Sequence, residues 1–179
     1  MDYGQFYELE RYLFGIVRPR FLAHGRLSAF DFFCIVVWKA NRARSRVARR
    51  LLAKGHRDLE AAVRELTTTI VAQPTRARLR YLCEDWGLNL PMASAILTVL
   101  YPDEFTVYDS RVCDLLGGFH RLYYTASFDR LWGGYQAYKQ RVIEATTECL
   151  SLRDRYLWGK SFHDQLQSDI ARGFGVGAR

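Results

Sequence analysis

Several kinds of protein are excluded by what this chain lacks. Its four cysteines, Cys34, Cys83, Cys113 and Cys149, are far apart and form no CxxC pair. Structural zinc and iron–sulfur clusters need closely spaced thiolates, so neither is expected, and the cysteines read as reduced thiols in apolar, helical surroundings. The four histidines, His24, His56, His120 and His163, share no ligand spacing, so no metal and no cofactor are expected. No apolar run approaches a membrane span, and the opening residues MDYGQFYELERYLFG do not read as a signal peptide. The expectation is no membrane partner and an intracellular, cytoplasmic location, nucleoid-associated in a bacterium. There are no repeats and no linker. Acidic residues are also few, 19 against 26 lysines and arginines, for a net charge of +7. That balance favours phosphate-bearing partners or an anionic surface.

What is present is a core. With 179 residues and 49% apolar side chains, disorder is excluded and one domain is expected, residues 1–172, followed by a flexible tail, 173–179. The periodicity is helical almost throughout, which predicts an all-α fold. Phe6, Leu9, Leu13, Phe14 and Val17 mark one face of a helix over 3–17 that Pro19 should end. Ser28, with Asp31 three residues on, resembles a capping box opening a helix to Lys39. Helices are predicted over 44–54, 58–72, 74–86 and 92–100, where Pro74 and Pro91 suit first turns and Gly55 and Gly87 suit stops. Residues 101–108 read as extended because Pro102 breaks the helix and Phe105, Val107 and Tyr108 favour that geometry. Helices over 109–116, 127–150 and 152–171 complete the set.

Two arginine clusters stand out. Arg42, Arg44, Arg46, Arg49 and Arg50 fall within nine residues, and Arg76, Arg78 and Arg80 form a second group. Val47 and Leu51, four apart, can face a core while Arg46, Arg49 and Arg50 point outward. Guanidinium forks suit phosphate oxygens and give salt-sensitive, sequence-independent affinity. The other reading is a solvated helix face paired with Glu60 and Glu65.

Residues 88–116, LNLPMASAILTVLYPDEFTVYDSRVCDLL, are the most informative stretch. They read as a tight turn, an apolar helix with small residues, an extended stretch, and Asp109 opening a second helix. Aspartate is a preferred N-cap, a role that needs no chemistry. Alternatively, one carboxylate beside a basic surface suits cleavage of a sugar–base bond, where it can stabilise an oxocarbenium-like sugar. A lone carboxylate argues against an O-glycosidase, which ordinarily uses a pair. Glu84 and Asp85 are adjacent on a helix and diverge, and Glu144 and Glu148 read as a solvated face.

The stretch resembles the signature of the helix-hairpin-helix base-excision DNA glycosylase superfamily. The hairpin is matched by Gly87-Leu88-Asn89-Leu90-Pro91, its helix by Met92-Ala93-Ser94-Ala95-Ile96-Leu97, and the aspartate segment by Thr106-Val107-Tyr108-Asp109-Ser110-Arg111-Val112. The chain is also similar to a branch with a WKxxR element, here Trp38-Lys39-Ala40-Asn41-Arg42. That branch carries a DRxLWxK element as well, here Asp154-Arg155-Tyr156-Leu157-Trp158-Gly159-Lys160. The resemblance spans roughly residues 28–162. It implies about eight to ten helices in two small lobes around a cleft, a monomer, and DNA as partner. It makes Asp109 catalytic and assigns a flipped base to Trp38, Lys39, Tyr108, Trp158 and Lys160. DNA contacts fall to Arg42, Arg46, Arg49, Arg50, Asn89, Met92, Ser94 and Arg111. Packing in the core is the competing role for Trp38, Tyr108 and Trp158, and Arg111 could equally pair with Asp109 or Asp114. The hairpin keeps one glycine, Gly87, and Pro91-Met92 stand where bifunctional members carry a Schiff-base lysine. A monofunctional enzyme acting on a damaged or modified base, including hypermodified phage bases, is implied. The alternatives are a non-catalytic DNA-binding module on the same fold and a helical protein acting through other proteins.

Overall fold

The structure, a computed structural model, describes residues 3–173, with the side chains of 150 and 151 left aside. The expected C-terminal tail lies almost wholly outside the described residues. Among those described, the chain is all-helical with no strand, and no helix is long and apolar enough to cross a membrane. It divides into two compact units, Met1–Phe105 and Thr106–Arg179.

The first unit contains α1 (Leu9–Tyr12), α2 (Arg18–His24), α3 (Ala29–Ala40), α4 (Arg44–Leu52), α5 (Leu59–Ala72), α6 (Thr75–Arg80) and α7 (Leu90–Leu100). Helix α7 is its centre. From Met92 to Leu100 every residue is buried, and α2, α3 and α6 pack around it. A helix apolar on all sides has no solvent face to keep, and Ala93, Ser94 and Ala95 let neighbouring backbones come close. Three caps follow from sequence: Ser28 Oγ, Asp58 Oδ1 and Asn89 Oδ1 accept from the Asp31, Ala61 and Met92 N–H groups at 3.1, 2.7 and 3.2 Å.

Some expectations fail here for local reasons. Pro19 does not end a helix. A π turn over Leu13–Val17 carries Arg18 N–H to Leu13 O, and Pro19, which has no N–H, falls where the ladder shifts register, so α2 runs on to Gly25. Only half of the capping box forms. The Asp31 carboxylate is fully buried and accepts from Tyr12 Oη at 2.7 Å and Arg20 Nη1 at 2.8 Å. Burial, then the Asp31 hydrogen bond, pushes the Tyr12 phenol up to about 12. The predicted helix over 74–86 is α6 followed by a π turn, Tyr81–Asp85. Residues 101–104 close a turn, with Glu104 and Phe105 N–H on Tyr101 O at 3.0 and 3.1 Å, so the non-helical stretch starts later than expected.

The second unit contains α8 (Ser110–Leu116), α9 (Phe128–Glu144) and α10 (Leu150–Ala171), and α10 packs on both α8 and α9. Its core includes Val112, Cys113, Phe128, Leu131, Tyr135, Tyr138, Val142 and Leu157. Leu122 packs close to α9 at Gly134: a Cβ there would lie 2.2 Å from Leu122 Cδ2, so a larger residue would displace that side chain. Helix α9 stops at Glu144, short of the predicted 150. Thr146 Oγ1 accepts the Glu148 N–H at 2.9 Å and so competes with the helix ladder. Cys149 is exposed at the cap of α10, against the expectation of four core thiols.

Candidate functional site

Asp109 is the N-cap of α8. Its backbone is extended (φ −136°, ψ 139°), and Oδ1 accepts the Arg111 N–H at 2.9 Å. The capping role is therefore filled, and the carboxylate is partly exposed at the helix start.

The residues leading to it belong to no strand, so side chains must satisfy their backbone groups. Tyr135 and Tyr138, three apart on α9, do most of this. The Tyr135 hydroxyl accepts the Thr106 N–H at 3.0 Å and donates to Thr106 O at 2.7 Å. The Tyr138 hydroxyl donates to Val107 O at 2.9 Å and accepts the Asp109 N–H. Both rings are fully buried, and burial holds the Tyr138 phenol well above its ordinary range. The Val107 N–H donates to the Asp154 carboxyl from α10. Asp109 is thus held at its own N–H and through the two residues ahead of Tyr108.

Around this segment the predicted residues separate. Tyr108 is buried, its hydroxyl donates to Phe119 O at 2.9 Å, and burial raises its pKa. Its ring packs at 5.3 Å, edge-on, against Tyr138. That is the core role the sequence left open, and a ring so placed has no face to offer a base. Trp158 is half-exposed on α10 and lies parallel to Phe162, 5.7 Å between centroids and 2° between planes. The Arg111 guanidinium is turned to these rings, 5.7 and 5.9 Å from their centroids, and donates to Gln165 Oε1 at 2.6 Å. Asp114 pairs with His120 at 3.0 Å instead. Lys160 is exposed and paired with Asp164, which raises its pKa.

The other candidates lie in the first unit. Val47 and Leu51 seat α4 while Arg42, Arg46, Arg49 and Arg50 are exposed, as the spacing required. Arg42, Arg46 and Arg49 form no ion pair among the described residues. Arg50 Nη1 donates to Gly87 O, which ties α4 to the turn before α7. Gly87 turns there at φ +63°, a conformation only glycine adopts freely. Asn89 is extended rather than left-handed and is engaged as the α7 cap, while Met92 and Ser94 are buried in α7 with no side-chain surface for a ligand. The second arginine cluster is engaged within the fold: Arg78 pairs with Glu104 at 2.8 Å and stacks 3.7 Å from the Tyr101 ring, and Arg80 pairs with Glu84 at 3.5 Å. Trp38 is partly exposed, edge-on to Phe14 at 6.2 Å, and Lys39 is partly exposed beside it.

The sequence reading missed Tyr135, Tyr138, Phe162 and Gln165, and gave Asp154 no role. Two tyrosines three apart on an apolar face, and an aspartate on the inner face of α10, were the available signals. No family model matches the chain, and no curated protein and no solved structure does so either.

Proposed function

We propose that the protein is a monofunctional DNA glycosylase with Asp109 as its catalytic carboxylate. The observation that supports this most is the hold on Asp109. Capping α8 needs only a side-chain oxygen, yet the backbone of this segment is fixed by two buried phenols and a buried carboxyl. A reacting group must be kept within about half an ångström of its working position, and such a hold does that. The reaction class comes from the resemblance of residues 87–112 to helix-hairpin-helix glycosylases.

In this reading the exposed Arg42, just before α4, and Arg46, Arg49 and Arg50 on it contact phosphates. Trp158 and Phe162, with Arg111 beside them, offer flat apolar and cationic faces of the kind on which an unstacked base rests. As the bond between sugar C1′ and the base nitrogen breaks, positive charge grows on the sugar and the Asp109 carboxylate stabilises it. Asp109 orients a water and takes its proton, the water oxygen bonds to C1′, and the base leaves with a proton. The product is an abasic site. Trp38, Lys39 and Lys160 remain candidates for base contact, and an intracellular setting goes with a DNA substrate.

The test is base release. Wild type and Asp109→Asn are incubated with DNA from damaged bacterial and base-modified phage sources, and free bases are identified by mass spectrometry. A base released by wild type alone supports the proposal and names the substrate. A second reading, a DNA-binding module without catalysis, is favoured by the Asp109 cap itself and by Arg50 resting on the Gly87 carbonyl of a glycine-poor hairpin. Intact salt-sensitive DNA binding with no base released from any source selects it.

A further inference from the structure

The DRxLWxK element begins with Asp154, and neither capping nor base recognition explains it. Asp154 is only 7% exposed, on the inner face of α10 beside Leu157. The carboxyl takes backbone N–H groups of Asp154 itself and Arg155 at the start of α10 and, from outside the helix, the Val107 N–H, while Oδ1 is buried with no hydrogen-bond partner. Among the described residues no cation forms an ion pair with it. The Arg155 guanidinium on its own helix and the Tyr138 phenol on α9 act on it through their fields. From α8, Arg111 is engaged with Gln165 and Asp114 with His120.

The Val107 N–H could be satisfied by a neutral side chain, as the Thr106 N–H is by Tyr135. A buried carboxyl with an idle oxygen is the costlier solution, because desolvation penalises its charged form. Its position gives a reason for it. Val107 is two residues before Asp109, and its carbonyl and N–H are held from opposite helices, by Tyr138 of α9 and by Asp154 of α10.

We propose that Asp154 is a positioning residue: through the Val107 N–H it fixes the segment that ends in Asp109, and so sets where the Asp109 carboxylate stands. The functional half of this rests on the reading of Asp109 as the reacting group. The structural half does not. Asp154 touches no reacting atom and acts through the backbone.

The experiment uses the full chain with nitrogen-15 labelling. In wild type the Val107 amide proton shift should follow the titration of the Asp154 carboxyl, which burial pushes up to about 6. Asp154→Asn should abolish that titration yet keep the amide protected, because the amide oxygen still accepts. Asp154→Leu should expose the Val107 and Asp109 amides to exchange at least about tenfold faster. Base release in single turnover should fall about 100-fold in Asp154→Leu with DNA affinity unchanged, and Asp154→Asn should restore most of it. A Val107 amide that ignores pH in wild type, or that stays fully protected in Asp154→Leu, overturns the proposal. If Asp154→Leu does not fold, the wild-type and Asp154→Asn titrations decide the matter alone. If wild type releases no base, the glycosylase reading falls, and the amide measurements still decide whether Asp154 holds the segment.

Discussion

Helices α7 and α8 both begin on a side-chain cap: Asn89 Oδ1 accepts the Met92 N–H at 3.2 Å, and Asp109 Oδ1 accepts the Arg111 N–H at 2.9 Å. The residues before Asn89 are tied by backbone bonds of their own, such as Leu88 N–H to Leu82 O at 3.0 Å, and by the exposed Arg50 on Gly87 O. Those before Asp109 are tied by Tyr135, Tyr138 and Asp154, all buried. Two caps of the same kind therefore stand on different foundations. Capping is a small task that one oxygen performs, worth about 1 kcal/mol. The buried apparatus behind Asp109 satisfies the backbone of a segment outside any helix or strand, and under the proposed function it would also fix the carboxylate.

The largest expected effect separates cap from chemistry. Asn and Asp cap helices equally well, so Asp109→Asn should leave thermal stability within about 0.5 kcal/mol of wild type. Base release should fall about 1,000-fold or more, since an amide cannot balance the charge on the sugar. The mirror change, Asn89→Asp, should alter neither stability nor base release. If both variants behave alike, Asp109 is a cap and nothing else.

The next effect tests the foundation itself. Tyr138→Phe keeps the ring but leaves Val107 O and the Asp109 N–H buried without their partner. A loss of about 2–4 kcal/mol is expected in urea unfolding, since each orphaned group costs about 1–3 kcal/mol. No substitution of an exposed residue at the Asn89 turn should approach it.

Asp154 gives the third effect, and its sign is set by burial. Its folded value, about 6, lies above the ordinary 3.8, so between these values the folded protein binds more protons than the unfolded chain. Stability from this group is then greatest below pH 4 and declines as pH rises toward 6. Asp154→Asn removes the penalty. It should gain about 2–3 kcal/mol on wild type between pH 4 and pH 7, measured by denaturant midpoints across that range.

The legible parts of the fold were those written in short-range pattern. Apolar spacing located α3, α5 and α7, and Ser28, Asp58, Asn89 and Asp109 announced their caps by residue type and position. Pro19 misled because a π turn ahead of it absorbs the missing donor, and the end of α9 was missed because Thr146 bonds locally to Glu148. Asp109 could be singled out from its neighbours in sequence. What holds it could not, because Tyr135 and Tyr138 reach Thr106 and Val107, ahead of it, from 29 and 31 residues along the chain. Their apolar spacing announces only that they are buried. Arg78 shows the same limit on a surface, where charge pattern suggested a phosphate ligand and Glu104 claims it.

The smallest expected effect lies at the other cap and tests the contrast from its weaker side. Arg50 holds the Gly87 carbonyl from an exposed position, and a hydrogen bond in water competes with solvent on both partners. Arg50→Gln should therefore cost less than about 1 kcal/mol in unfolding, well under the loss expected for Tyr138→Phe. Its effect should instead appear in binding. If the guanidinium reaches a phosphate with its remaining donors, the slope of log K against log salt for duplex DNA should fall by about one, equally for every sequence. A large loss of stability would mean the α7 turn depends on its arginine as heavily as the α8 turn depends on its phenols. The difference between the two caps would then no longer mark Asp109 as the reacting group.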